Sequence, residues 1–336
     1  MFRRILAAAV LLALAAVLLV AVWPQLFGLE RQPIVAQLVS LRGLAVLIAA
    51  ALVIVFTLFS LVSPRTRRFT GSIALLLVVF SAVTVAVLAT RGLGDPAFQT
   101  KASGDVVVLS WNTLGDAPGA DEIAGLADEV DADIVVLPET SAETAEIVAA
   151  ILTDGGRPMT ALHLSLDDIS KARTTSLLIS TKLGTYVRDD SAGTTDTLPS
   201  VIARPREGTG PTIIAAHPVA PIPGEMSAWH SGLSWLAERC AEKNVILAGD
   251  LNSTLDHYTG LGADGGDLGG CRDAARATGN AAVGTWPTSF PPLLGAPIDH
   301  VMASAGWDLI GFRVIASHDG DGSDHRPVVA QLRPAG

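Results

Sequence analysis

The chain has 336 residues, a mean hydropathy of +0.45 and a formal net charge of −10. That hydropathy is too high for an ordinary soluble domain, and the excess lies in residues 1–90, which hold seven Arg and one Glu. Subtracting these from 23 basic and 33 acidic residues leaves 16 against 32 in residues 91–336, a net charge of −16. Such a field argues against a surface that neutralises nucleic-acid phosphates, and it attracts divalent cations as well as serving solubility.

Three nearly charge-free runs come first, at 5–23, 43–62 and 72–90. Each has about 20 residues, enough to cross the ~30 Å hydrocarbon core as a helix, a form that satisfies its own backbone hydrogen bonds. Arg3 and Arg4 resemble the basic start of a signal peptide. However, no small-residue cleavage site precedes Pro24, and two further runs follow. Three transmembrane helices are therefore expected. Arg3, Arg4, Arg65, Arg67 and Arg68 flank one side, against Arg31 and Arg42 on the other. The positive-inside rule places the N-terminus in the cytoplasm and everything from Arg91 onward outside the cell membrane.

Residues 92–103 lack periodicity and read as a linker. The expected division is a membrane anchor at 1–90, a linker at 91–104 and a catalytic domain at 105–336. Within that domain the β-branched runs at 106–110 and 134–137 read as strands buried on both faces. Residues 121–130 and 142–152 follow them with helical spacing. Further strands are expected at 176–180, 201–204, 212–216, 245–248, 298–303 and 327–332, with a helix at 229–240. Strands and helices interleaved without a repeat point to one α/β domain. Cys240 and Cys271, both in the exterior part, make one disulfide a candidate in an oxidising compartment.

Polar residues collect where the strands end. Asp250 and Asn252 follow the apolar run 245–248, and side chains two apart on an extended segment share a side. Asn112, Glu139 and His217 sit just past the runs 106–110, 134–137 and 212–216. Open α/β sheets bind ligands at such edges. Asp299 and His300 are neighbours on one strand, so only one of them faces a given site. His325, in Ser323-Asp324-His325, could be held by Asp299, which would fix its tautomer and raise its basicity.

Trp111-Asn112-Thr113, Leu137-Pro138-Glu139, His217-Pro218, Gly249-Asp250-Leu251-Asn252, Ile298-Asp299-His300 and Ser323-Asp324-His325 together resemble the endonuclease/exonuclease/phosphatase family, which includes deoxyribonuclease I, abasic-site endonucleases and sphingomyelinases. The resemblance implies a four-layered α/β sandwich, two mixed sheets flanked by helices, here preceded by three transmembrane helices. It implies a metal site at Glu139, with Asn112 and Asp324 nearby, taking Mg²⁺ or Mn²⁺ ahead of Ca²⁺. Asp250 would activate or orient water, and Asn252 would hold the phosphate or the attacking group. His325, supported by Asp299, and His217 would contact phosphate or move a proton. Arg173 and Trp286 are the candidate substrate contacts.

The expected activity is metal-dependent hydrolysis of a phosphate ester, foremost a phosphodiester. Its substrate would be an envelope component, a lipid headgroup or, against the charge, nucleic acid. The alternative is a catalytically silent binding or scaffolding module on the same fold.

Overall fold

The computed structural model describes residues 1–95, 97–167 and 169–335. Pro96, in the expected linker, and Asp168 and Gly336, in the expected catalytic domain, lie outside the described residues. The chain opens with α1 (Phe2–Val22), the short α2 (Val35–Ser40), α3 (Arg42–Val62) and α4 (Arg67–Arg91). α1, α3 and α4 are long and apolar enough to cross a membrane. α4 begins five residues before its apolar run because Arg67 and Arg68, good helix formers, supply a polar first turn. Ala49, Ile73, Leu77 and Phe80 pack where these helices meet. Ile54, Leu58, Phe59 and Val85 face outward, as apolar side chains do on a helix surrounded by hydrocarbon.

The remainder forms β1 (Val106–Ser110), α5 (Ala120–Glu129), β2 (Ile134–Pro138), α6 (Ala142–Asp154), β3 (Met159–Ser165), β4 (Thr174–Ser180), β5 (Tyr186–Arg188), β6 (Val201–Pro205), β7 (Thr212–Ala216), α7 (Met226–Arg239), β8 (Val245–Asp250), β9 (Arg272–Asp273), β10 (Asp299–Ala303), β11 (Trp307–Val314) and β12 (Val328–Pro334). One sheet runs β11-β12-β1-β2-β4-β3 and the other β5-β6-β7-β8-β10-β9. Each is mixed. β1–β2 and β7–β8 are parallel, while β1–β12 and β8–β10 are antiparallel. The expected four-layered sandwich is what the chain forms.

Burial explains the layering. Val106, Val108, Ile134 and Val136 on one sheet meet Ile213, Ala215, Ile246 and Ala248 on the other. The opposite faces, with Leu109 and Val135, pack under α5 and α6, and Ile214 and Leu247 pack under α7. A central strand is thus apolar on both faces, each fully buried Val, Leu or Ile contributing about 1.5–3 kcal/mol. Cys240, at the end of α7, is disulfide-bonded to Cys271 with Cα atoms 5.3 Å apart.

The three apolar helices are fastened to this sandwich. Among the described residues of 92–105 none lies in a helix or strand. They still bond to it through Gly94 N–H to the Gly279 carbonyl (3.2 Å) and Ala282 N–H to the Gly92 carbonyl (3.1 Å). The segment between α1 and α3 also docks. Arg31 Nη1 donates to the carbonyls of His257 (2.7 Å) and Thr259 (2.8 Å), and Gln37 donates to that of Pro221.

Candidate active site

The parallel and antiparallel pairings bring six chain segments to one end of the sandwich. Asn112 follows β1, Glu139 follows β2, His217 follows β7 and Asp250 ends β8. Asp299 begins β10 and is the register partner of Asp250. β12 runs antiparallel to β1, pairing Val328 with Ser110, so Asp324 and His325 enter at the same end.

Local chemistry holds these ends in place. Gly249 has φ 147°, and a Cβ there would lie 1.9 Å from the Ala216 carbonyl oxygen, so only glycine lets β8 press so close to β7. Glu139 (φ 55°) and Asn252 (φ 46°) adopt left-handed backbone, which costs a non-glycine residue roughly 1–3 kcal/mol and concentrates at functional sites. Two fully buried indoles tie down the loops. Trp111 Nε1 donates to the His325 carbonyl (2.9 Å), and Trp229 Nε1 donates to that of Asn252 (3.0 Å).

Asn112 Nδ2 bridges two carboxylates, donating to Glu139 Oε1 (3.0 Å) and Asp250 Oδ2 (3.1 Å). Its Oδ1 accepts from Leu114 N–H (3.0 Å). Asn112 therefore bridges the Glu139 and Asp250 carboxylates, beside the place where Glu139 is expected to hold metal. Asp250 Oδ1 accepts from Asn252 N–H (2.9 Å), and Asn252 Nδ2 donates to the Pro218 carbonyl (3.0 Å). His325 Nδ1 donates to Asp299 Oδ2 (2.9 Å). Its Nε2 is then free to face Asp250 Oδ2 at 3.7 Å and Asp324 Oδ1 at 4.0 Å. The neighbouring His300 points the other way, bonding Asp273 (2.7 Å), as strand alternation requires.

The site is rich in negative charge. Burial raises the Asp250 carboxyl, and the Asp299 charge adds to this against the pull of His325. Burial likewise raises Glu139, with Asp324 and Asp299 contributing. For His325, burial alone would favour the neutral ring, but Asp299 and Asp250 hold its pKa above the usual imidazole range. His217 is pushed down to about 3 by burial and by the His325 charge, so it is neutral at physiological pH.

Several buried polar atoms are left unpaired among the described residues. Asp324 Oδ1, Asp299 Oδ1 and His217 Nε2 are shielded from solvent and have no hydrogen-bond partner. His217 Nε2 is 3.8 Å from Glu139 Oε1. Glu139 and the free Asp324 oxygen are hard oxygen donors, suited to a divalent ion such as Mg²⁺ or Mn²⁺. Asp250, Asp299 and His325 also bring ligand atoms within 4.8 Å of one another, but the His325–Asp299 hydrogen bond already joins two of them.

A cleft of about 520 Å³ opens over these groups, lined by Glu139, Asp250, Asn252, Trp286, Asp324 and His325. Trp286 Nε1 donates to Asp324 Oδ2 (2.8 Å), leaving the other oxygen free. Arg173 is not brought into the cleft. Its guanidinium is held by Asp167 Oδ2 (2.8 Å) and the Thr197 carbonyl (3.2 Å). Sequence reasoning missed Gln37, Ser40 and Leu41, which form one wall. No motif marks them, because they come from the segment between two apolar helices.

Residues 109–325 match the model of the Endonuclease/Exonuclease/phosphatase family. No curated protein matches the chain. Among solved structures, an endonuclease/exonuclease/phosphatase from Beutenbergia cavernae DSM 12333 is similar with a TM-score of 0.52 and 19% identity, over 69% of this chain and 72% of that one. The AP endonuclease LMAP from Leishmania major gives 0.51 and 13%, over 74% and 95%. Humanized TDP2 from D. rerio gives 0.50 and 16%, over 68% and 99%. At these identities the likeness is one of fold.

Proposed function

Because the chain belongs to the endonuclease/exonuclease/phosphatase family and is a metal-dependent phosphoric ester hydrolase, we propose that it hydrolyses a phosphodiester outside the membrane that its helices cross. The observation that carries this reading is the gathering of Asp250, Asp299 and Asp324 around the buried His325, beside Glu139 in the same cleft. A silent scaffold has no use for so costly a group of buried charges.

In this reading Glu139 and Asp324 hold the divalent ion, which when bound neutralises phosphate charge and stabilises the leaving oxygen. Asp250, oriented by Asn112 and Asn252, positions a water molecule and accepts its proton. His325, held by Asp299, donates from Nε2 to a phosphate oxygen. His217, neutral, contributes a second donor from the opposite wall. Trp286 fixes Asp324 and borders the substrate.

The full-length chain in detergent is expected to hydrolyse bis(p-nitrophenyl) phosphate with Mg²⁺ or Mn²⁺, to stop with EDTA and to recover when metal is restored. No metal-dependent hydrolysis would sink the phosphodiesterase reading and favour the silent module.

The basic residues support an outward-facing domain, and a disulfide between Cys240 and Cys271 suits an oxidising compartment. A reporter active only outside the cytoplasm should work when fused after Thr90 and fail after Val62. The reverse pattern would place the cleft inside.

A further inference from the structure

The cleft does not end at its polar floor. Gln37, Leu41, Pro221 and Ile222 line it and also line a second groove of about 700 Å³, so the two adjoin along these side chains. The groove runs between α2, the start of α3 and residues 221–226, and it reaches Leu44, Ala45 and Ile48. At 1.5 Å per residue, Ile48 lies about 9 Å along α3, inside a helix long and apolar enough to span a membrane. None of the described residues lining the groove is charged. Ile34, Leu38, Ile48 and Ile222 are each about half exposed or more, although they lie beside a strongly acidic site.

An apolar trough that joins a membrane helix at one end and a phosphoesterase cleft at the other matches one ligand chemistry, an amphiphile with a phosphate-ester head and a hydrocarbon tail. We propose that the substrate is a membrane lipid whose headgroup carries the phosphodiester, its chain lying along this groove and its phosphorus at the Asp250–His325 end. The proposal rests on the phosphodiesterase reading and narrows its substrate class. Two further features agree with it. The net charge of −16 in residues 91–336 opposes a nucleic-acid polyanion. The docked segment between α1 and α3 holds the cleft at the end of the apolar helices, where lipid headgroups lie. In the reaction, water adds at phosphorus, one P–O ester bond breaks and the departing alkoxide oxygen takes a proton. The products are a phosphomonoester and an alcohol, and the one bearing the chain stays in the membrane.

The test uses the full-length chain in nonionic micelles with Mg²⁺ or Mn²⁺. Dioleoyl phosphatidylglycerol, phosphatidylethanolamine and phosphatidylinositol are compared with their deacylated counterparts, a single-stranded DNA oligonucleotide and bis(p-nitrophenyl) phosphate. The lipid chain is held with the protein in the micelle while the deacylated form stays in water, and each methylene kept out of water is worth about fourfold. At least one lipid is therefore expected to exceed its deacylated form in kcat/KM by about 100-fold or more. The double variant Ile34→Gln/Leu38→Gln alters exposed side chains on α2 and its approach, so folding is not at stake. It should lower the lipid-to-aryl-diester ratio of kcat/KM by about tenfold, and Leu38→Met should keep that ratio. If the aryl diester is cleaved but lipids and deacylated forms are equal, if DNA is preferred, or if the groove variant leaves the ratio unchanged, the lipid proposal is overturned while the phosphodiesterase reading stands. If nothing is cleaved, both fall.

Discussion

Asp250→Asn is expected to lower kcat for phosphodiester hydrolysis about 10³-fold, within the range general acid–base groups contribute. Two effects combine. An amide cannot accept the proton of an attacking water, and both Asp250 oxygens already accept hydrogen bonds from Asn112 and Asn252. An asparagine would turn its NH₂ group toward one of those donors and displace the acceptor that remains. His325→Ala should cost a comparable factor, because it removes the donor facing the phosphate and leaves Asp299 buried without its partner.

Asp299→Asn separates positioning from chemistry. Asp299 touches His325 Nδ1 at 2.9 Å and is placed to act through it. Without that carboxylate His325 loses the charge that most strongly opposes the effect of burial, so the protonated ring is less favoured. The expected result is a 10–100-fold lower kcat together with an alkaline limb of the pH–rate profile moved to lower pH. A merely structural Asp299 would lower activity without moving that limb. Activity within threefold of wild type in Asp250→Asn, with an unchanged melting temperature, would remove Asp250 from the mechanism.

What the sequence made legible follows from how its strands are used. The central strands β1, β2, β7 and β8 are buried on both faces, so they read as unbroken apolar runs. β3, β5, β9 and β11, which the sequence did not announce, are the four edge strands of the two sheets. They pair on one side only, carry exposed or half-buried residues such as Thr160, Arg188 and Asp308, and so lose the pattern. The site was legible for the same reason in reverse. Glu139, His217 and Asp250 are conspicuous because they interrupt apolar runs where burial of a polar group is costly. Arg173 carried no such signal, and the structure gives it to Asp167. The amide orientation of Asn112 depends on contacts with β2 and β8 that no single segment encodes. The docking of residues 23–41 was invisible for a related reason. Its partners, Asp256 for Gln25 and His257 for Ala36, are more than 200 positions away.

Asp256→Ala is expected to destabilise the full-length chain by about 3–5 kcal/mol, the cost of removing one partner from a buried ion pair. Asp256 is 1% exposed in its side chain and Arg42 4%. Arg42 donates to both its oxygens (2.9 and 2.7 Å), as does Arg91 (2.8 and 2.8 Å), and Gln25 is a third donor residue (2.9 Å). One carboxylate therefore joins the end of α4, the start of α3 and the loop after α1 to the sandwich. The neighbouring Gly43 is pressed so close that a Cβ would lie 1.8 Å from the Leu293 carbonyl oxygen. Alanine at position 256 leaves two guanidinium groups facing each other without a counter-charge. The melting temperature in detergent should fall by roughly 6–15 °C. A shift under about 2 °C would show that the helices are held by other contacts.

Acid should loosen the same junction in a defined order. Burial would raise the Asp256 carboxyl, but Arg42 and Arg91 hold it far below the usual range. Its stabilisation is present above the unfolded pKa of about 3.9 and is lost only as pH falls toward the much lower folded value. His257 titrates first. Its Nδ1 accepts from Thr254 N–H (2.9 Å) and its Nε2 donates to the Ala36 carbonyl of α2 (3.1 Å), so the ring is neutral. Burial, aided by Arg31 and Arg91 and against Asp256, lowers its pKa to about 4, below the unfolded value of about 6.5. Its stabilisation is complete above pH 6.5 and is lost as pH falls from there to 4. Hydrogen exchange of the α2 amides should therefore accelerate across that window while the β1 and β8 amides stay protected. His257→Gln, with its amide nitrogen still able to reach Ala36, should flatten the dependence. Acceleration that begins only below pH 4 would assign the response to Asp256 instead. Since α2 supplies a wall of the cleft, acid release of this helix would open the cleft on the side facing the start of α3.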